Sequence, residues 1–467
     1  MQIEWQPQFN GTGDPIYVQI VESLQRDREN GRLSAGERLP TQRGLAKTLG
    51  IGIGTVTRAF AEAERRGLIN SHVGRGAFVS GAHEIEDSSD AWSGPIDLSL
   101  NTPPTQTARQ RISLEMAALV NDPELLSLLG MVPTAGLDRH RKVLAGWVRD
   151  RHGIAGTHWE QLLVTTGAQH ALSLALRSTR SGSEPVLVEE TTFFGFRAAA
   201  EQLGIPLVPI AMDRDGALPA ALADAAQRSG AKVVYLQPTL HNPTTRIMPT
   251  ARRAAIADVL RDRNLTLIEG DVYGALARYD AGGRMPNPIA NLVPERTWFV
   301  SGLSKSIAPG LRVGMLLAPD GAGIERAAAH FRADSYSAGA IGPAIGVRMI
   351  ENGSAIRLLD DIVRHASART TLACDLLSPW IEKPRTLATL HVWLPRPELE
   401  AERLYSHAMR EGILLTPPAA LSTADGSPTG IRLCLNGPRS MTALEHALGV
   451  ITQALRTTPT SATRNIV

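Results

Sequence analysis

The chain opens on an apolar period of three to four. From Pro15 to Asn30, Ile16, Ile20 and Leu24, with Val21 beside them, mark one face of a helix. Asp14 precedes it as an N-cap, Pro15 suits the first helical position, and Gly31 ends it. The period returns over Gln42 to Leu49, with Leu45, Ala46 and Leu49 inward, and again over Thr55 to Arg66, with Val56, Phe60 and Ala63 as the buried stripe. Gly50 to Gly54 is a glycine-rich turn between the two. From Gly67 to Ser80 the pattern becomes strand, turn, strand, with Arg75 at the turn between Gly74 and Gly76. Residues 1–80 thus read as one small domain.

Residues 81–95 are acidic and serine-bearing with no period, and read as a linker. Short β-rich runs follow at Leu162–Thr165, Val186–Glu189, Leu207–Ile210, Val233–Gln237, Leu265–Glu269, Thr297–Ser301 and Arg312–Leu317. Helical patterns such as Ala168–Arg180 and Arg252–Arg263 lie between several of them. This alternation predicts an α/β domain over 96–455, built on a mainly parallel sheet covered on both faces. Its large part spans about 98–330 and a smaller α+β part about 331–455. Residues 456–467 lose the apolar period and read as a disordered tail.

Composition adds little to this picture, and charge adds more. The 467 residues are 43% hydrophobic and 20% charged, ample for a sizeable core. The net charge of +2 excludes a polycation, but from Arg32 to Arg75 eight arginines and lysines face three glutamates. That block coincides with the N-terminal helices and points to nucleic acid. Cys374 and Cys434 make neither a disulfide framework nor a metal cluster, so no metal is expected and a reducing compartment is. Met1 to Asn10 carries no secretory signal pattern and no apolar run reaches the ~18–20 residues of a membrane span. A cytoplasmic protein without membrane contact is expected.

Two short helices joined by a tight turn make a helix-turn-helix, whose second helix can enter the DNA major groove. Its first turn offers Thr55, Thr57 and Arg58 to bases and phosphates. The strand pair after it reads as a wing whose Arg75 reaches a minor groove. The stretches RLPTQRGLAKTLG (Arg38 to Gly50), TVTRAF (Thr55 to Phe60), RRGLI (Arg65 to Ile69) and GRGAFV (Gly74 to Val79) resemble the winged helix-turn-helix of GntR-type regulators. The resemblance implies contact with double-stranded DNA through Arg38, Arg43, Thr55, Arg58 and Arg75. Where that family usually has Ser-Arg before the recognition helix, this chain has Ile51-Gly52-Ile53-Gly54.

In the second domain the chemistry centres on Ser301 to Gly314, SGLSKSIAPGLRVG. Lys305 sits in a small-residue turn between two apolar strands, where desolvation lowers an amine's pKa and makes it a nucleophile for an aldehyde. Arg312 supplies a planar fork for a phosphate. Together they suggest pyridoxal 5′-phosphate; the plainer reading is a turn whose lysine reaches water. Other candidates fall at strand ends, where ligands of such sheets gather. Gly167, Ala168 and Gln169 open a helix whose N–H groups can face a phosphate. Phe193 can stack on a flat ring or belong to the core. Asn242 can donate to a ring oxygen or simply form an Asn-Pro turn. Asp271 at a buried strand end needs a cation, which a protonated pyridine nitrogen would be. Arg432 in an apolar strand is costly unless it pairs, as in a structural salt bridge.

The series Gly-Ala-Gln, Phe, Asn-Pro, Asp-x-Tyr, Lys, Arg resembles the fold type I aminotransferases, and the whole chain resembles the MocR subgroup of GntR-type regulators. That resemblance implies a Schiff base on Lys305, Asp271 at the ring nitrogen, Asn242 and Tyr273 at the ring oxygen, and Phe193 on the ring face. It also implies Arg312 and the Gly167–Gln169 backbone at the phosphate, with Ser304 in the same turn, and Arg432 at an amino-acid carboxylate. Two positions depart from the family. Gly302 replaces a hydroxyl residue three before the lysine, with Ser301 and Ser304 nearby. Met131 stands where a tyrosine often reaches the partner subunit's phosphate. The function implied is a homodimeric transcriptional regulator that senses an amino acid or other primary amine by transaldimination at Lys305. The alternatives are an active aminotransferase with a DNA tether, and a DNA-binding repressor whose second domain is only a dimerisation body.

Overall fold

The computed structural model describes residues 5–9, 13–30, 32–33, 37–65, 68–72, 76–79, 94–180, 182–424 and 426–457. The chain divides into two units, Met1–Ser93 and Gly94–Val467. No helix among the described residues is long and apolar enough to cross a membrane. The wing turn with Arg75, residues 81–93 of the expected linker and nearly all of the expected tail lie outside the described residues.

In the first unit α1 (Ile16–Glu29), α2 (Gln42–Leu49) and α3 (Ile53–Arg65) close around Ile20, Val21, Leu24, Leu45, Val56 and Phe60. Ile16, expected on the inner face, is 44% exposed, one turn ahead of the packed stretch. Thr41 caps α2, its Oγ1 accepting from the Gly44 N–H at 3.1 Å. α3 begins two residues earlier than the pattern predicts. The Gly52 carbonyl already accepts the Thr55 N–H at 3.0 Å, so Ile53 and Gly54 belong to the helix and the turn shortens to Gly50–Gly52. β1 (Ile69–His72) and β2 (Gly76–Val79) pair antiparallel, Ile69 opposite Val79. Glu37 and Leu39 add a third edge through Val79 N–H to Glu37 O, 2.8 Å, and Leu39 N–H to Ala77 O, 2.9 Å.

The strands of the second unit are β3 (Ile96–Asp97), β4 (Leu162–Thr166), β5 (Val186–Glu189), β6 (Leu207–Ile210), β7 (Met212–Asp213), β8 (Gly216–Ala217), β9 (Val233–Leu236), β10 (Thr266–Gly270), β11 (Thr297–Gly302), β12 (Val313–Leu317), β13 (His391–Pro395), β14 (Ile413–Leu414) and β15 (Gly430–Cys434). A seven-stranded sheet runs in the order β4-β12-β11-β10-β9-β5-β6. It is parallel except for β12, which is antiparallel to both neighbours. Both faces are covered, which is why the strands read as unbroken apolar runs. Val186, Val188, Val233, Tyr235 and Ile268 face one core, with Leu172, Ala175 and Phe196. The alternate residues Leu187, Val234, Leu236 and Leu267 face the other, with Ala225, Ile256 and Leu260.

The smaller part differs from the expected division at about residue 330. Phe331 through Ala366 still pack in the large core. The changeover falls within helix Ser354–Leu377, whose Ala373 and Leu377 join a second core with Val392, Leu433 and Leu448. Ile96 and Leu98 also enter that second core, and β3 pairs with β14. The 24-residue helix carries one apolar face past both cores, so composition changes at neither boundary.

Candidate functional site

Parallel strands end on the same edge of a sheet, and there β4, β5, β9, β10 and β11 hand the chain to loops. Because β12 is reversed, the residue before it, Arg312, comes to that edge too. The register sets Val313 beside Thr166 and Gly314 beside Gly302. One edge therefore collects Gly167, Phe193, Asn242, Asp271, Tyr273, Lys305 and Arg312 from 146 positions of sequence.

Asp271 is 2% exposed. Its N–H donates to the Val300 carbonyl at 2.8 Å, and its Oδ2 lies 3.1 Å from His152 Nδ1. His152 Nε2 lies 3.2 Å from Ser301 Oγ. With Nδ1–H donating to the carboxylate and the serine hydroxyl donating to Nε2, His152 locks the carboxylate in place. Oδ1 is buried with no hydrogen-bond partner among the described residues. An orphaned buried carboxylate oxygen fits a protonated ring nitrogen and is costly without one.

Lys305 donates from Nζ to the main-chain oxygen of Asn101. It does not simply reach water. Burial pushes its pKa from the ordinary 10.5 down to about 8, with Cys434 opposing and Arg432 and Arg312 adding to the shift. The neutral amine is the nucleophile. Covalent attachment of pyridoxal phosphate to the cofactor-free chain should therefore speed up through pH about 8 and level off above it, not near 10.5. Stopped-flow absorbance across pH 6.5 to 10 checks this, and a rate still climbing tenfold per unit above pH ~9 would contradict it.

Asn101 Nδ2 donates to Tyr273 Oη at 2.8 Å and lies 2.9 Å from His391 Nδ1. Asn242 Nδ2 lies 3.5 Å from the same phenol oxygen. Burial pushes the Tyr273 phenol well above its ordinary range, so it keeps its proton as a donor. Arg432 is 1% exposed and donates to Asn242 Oδ1 at 3.0 Å, Ser99 O at 2.9 Å and Thr416 Oγ1 at 2.8 Å. Among the described residues it forms no ion pair, and its Nε has no partner. A buried cation held only by neutral groups is prepared for an anion.

On the phosphate side Gly167 has φ 85°, and a Cβ there would lie 2.6 Å from Arg312 Nη2. Helix Ala168–Ser178 starts on it, and Gln169 Nε2 donates to Gly195 O at 2.5 Å. Arg312 is exposed, Nη2 3.3 Å from Thr166 O, and makes no ion pair among the described residues. Phe193 is half-buried, its ring 5.0 Å from Phe194. Ser304 is half-buried in the lysine turn, whereas Ser301 is committed to His152. A Cβ at Gly302 would stand 2.7 Å from Val313 O, so this backbone leaves no room for the hydroxyl residue common in that position. Ser306 is buried, and its Oγ has no hydrogen-bond partner among the described residues. Met131 is 77% exposed. The donor set, the orphaned carboxylate and the desolvated amine fit pyridoxal 5′-phosphate.

In the first unit Arg43, Thr57 and Arg58 are exposed on α2 and α3, and Thr55 is half-buried. Thr57 Oγ1 donates to Gln42 Oε1 at 2.9 Å, tying the two helix starts together. Arg58 stacks 4.1 Å over the Tyr17 ring, with Nη2 3.4 Å from its hydroxyl. Arg38 is half-buried beside Gly76. The sequence reading overlooked His152, Asn101, His391 and Thr416. The sole sign of His152 was a histidine before Gly153, and of Asn101 a polar residue closing Leu98-Ser99-Leu100.

Residues 93–451 match the family of class I and II aminotransferases, and residues 16–79 match the bacterial regulatory proteins of the gntR family. The chain is 31% identical over 333 residues to the HTH-type transcriptional regulator YdeF of Bacillus subtilis (strain 168), covering 68% of each chain. It is 29% identical over 314 residues to the HTH-type pyridoxine biosynthesis transcriptional regulator PdxR of Corynebacterium glutamicum, covering 65% of this chain and 66% of PdxR. Among solved structures, Pyrococcus horikoshii kynurenine aminotransferase superposes with a TM-score of 0.70 at 20% identity, covering 78% of this chain and 91% of that one.

Proposed function

The chain belongs to the class I and II aminotransferase family and joins it to a gntR-type helix-turn-helix, the MocR architecture, which makes it a transcriptional regulator with a pyridoxal phosphate-binding, aminotransferase-like domain; from that premise we propose that it senses an amino acid or another primary amine at Lys305 and answers on DNA. The observation that carries this reading is the hydrogen-bonded run from Lys305 through Asn101, Tyr273 and Asn242 to a buried Arg432 with no ion pair among the described residues. This run would put an amine site and a carboxylate site in one cluster.

When bound, pyridoxal phosphate supplies an aldehyde carbon that can pass from one primary amine to another. Asp271 Oδ1 would hold a proton on the ring nitrogen, Phe193 would cover a ring face, and Asn242 and Tyr273 would take the ring oxygen. Arg312, Ser304 and the N–H groups at Gly167–Gln169 would hold the phosphate. Arg432 would orient the effector by its carboxylate, and the Lys305 amine beside it would take up or give back a proton. Arg38, Arg43, Thr55, Thr57, Arg58 and Arg75 would face the operator duplex. The chain would act in the cytoplasm as a homodimer, a state supported by the exposed apolar residues Leu126, Leu129 and Met131.

A ligand moves such an equilibrium only through unequal affinity for two states. The test titrates amino acids and simple amines into the cofactor-loaded full chain on its own upstream DNA, following visible absorbance and fluorescence anisotropy together. At least one amine should shift the spectrum and change DNA affinity about fivefold or more. Spectral shifts with DNA affinity unmoved for every amine would remove the sensing role.

A further inference from the structure

A cavity of about 260 Å³ opens in the second unit where three segments meet: the β7–β8 turn with Arg214, the turn Thr244–Arg246, and Glu382–Arg385 ahead of β13. None of the residues assigned above to cofactor or effector lines it. Its wall carries four cations, Arg214, Arg246, Lys383 and Arg385, against one carboxylate, Glu382. Arg246 grips Glu382 with both arms of its fork, at 2.9 Å each. Arg385 donates to Asp215 and, at 3.2 Å, to the Ile247 carbonyl. Arg214 and Lys383 are exposed and form no ion pair among the described residues. After these pairings two positive charges remain uncompensated around one concavity, which focuses a positive potential into it. The wall is also conformationally constrained. Thr245 is buried and holds φ 59°, a region a β-branched residue rarely adopts unless its surroundings impose it.

We propose that this cavity binds a small phosphate-bearing dianion. A phosphate monoester carries about −1.5 to −2 charges at neutral pH, which matches the two uncompensated cations, and its oxygens suit arginine forks. The volume lies below the ~300–1,000 Å³ of drug-sized ligand pockets, so the body attached to the phosphate is small. The site joins the turn that follows Asn242 to the segment leading into β13, so its occupant clamps the two parts of the aminotransferase-like unit. This site is independent of amine sensing at Lys305.

The test is equilibrium dialysis of the full chain loaded with pyridoxal phosphate, so that the cofactor's own phosphate subsite is filled, at constant ionic strength. The probes are inorganic phosphate and glycerol 3-phosphate, and the proteins are wild type and Arg214→Ala/Lys383→Ala. Both side chains are exposed, and an unchanged visible spectrum verifies that the variant is folded. Wild type should bind one probe per chain saturably, and the variant should bind it about tenfold to a hundredfold more weakly. Tighter binding of glycerol 3-phosphate than of phosphate assigns a monoester, and equal binding assigns the phosphate group alone. Absence of saturable binding, or the same affinity in the variant, overturns the proposal.

Discussion

Lys305→Ala should abolish borohydride-stable attachment of pyridoxal phosphate to the chain, and intact mass spectrometry should find no reduced adduct where wild type carries one per chain. The visible band of the lysine-bound cofactor should disappear with it. The expectation follows from the amine's setting, between two buried strands and facing Asn101. Removing it should not cost folding. Burial lowers its pKa from 10.5 to about 8, so the folded chain gives up this proton before the unfolded chain does. By linkage, stability of the cofactor-free wild type rises with pH between about 8 and 10.5, and below that window the half-buried, desolvated cation is a net burden. Alanine removes that burden, so its cofactor-free melting temperature at pH 7 should equal or exceed that of wild type. An adduct that persists in the variant would move the attachment point to another lysine. Loss of the adduct together with a collapsed melting transition would make Lys305 a structural residue.

Arg432→Leu should weaken the spectral response to an amino acid by about a hundredfold to several thousandfold while leaving the response to the matching amine without a carboxylate within a fewfold of wild type. Losing one partner of a buried charge pair costs roughly 3–5 kcal/mol, which sets that range. The comparison of two ligands is needed because Arg432 also donates to Asn242, Ser99 and Thr416. If its role is to hold Asn242 in place, both ligands lose affinity alike. Arg432→Lys keeps the charge without the fork and should fall between wild type and leucine. Titration by visible absorbance reads all three, and equal losses for both ligands would refute the carboxylate grip.

Much of the α/β architecture was legible. Val186–Glu189 and Leu207–Ile210 are strands with the limits their apolar runs predict. The candidates at strand ends do converge on one edge, because that convergence is a property of any parallel sheet. Less was legible where an element is short or its surroundings decide. The start of α3 moved to Ile53 because the Gly52 carbonyl, three residues before Thr55, was free to accept its N–H, which no side-chain pattern records. The small part proved discontinuous because strand Ile96–Asp97 pairs with Ile413–Leu414 across more than 300 residues.

The apolar period and the placement of polar residues at strand ends determined, without any coordinates, a helix-turn-helix joined to a covered parallel sheet and the side chains gathered at its edge. Period records whether a side chain is buried, and strand order records which end of the sheet it reaches. Tertiary structure alone decided the partners: His152 against Asp271, the Asn101 carbonyl against Lys305, and Asn242 against Arg432. Those pairs stand 119, 204 and 190 residues apart, and a hydrogen bond at such separation leaves no mark on local spacing because the intervening chain is free to take any length.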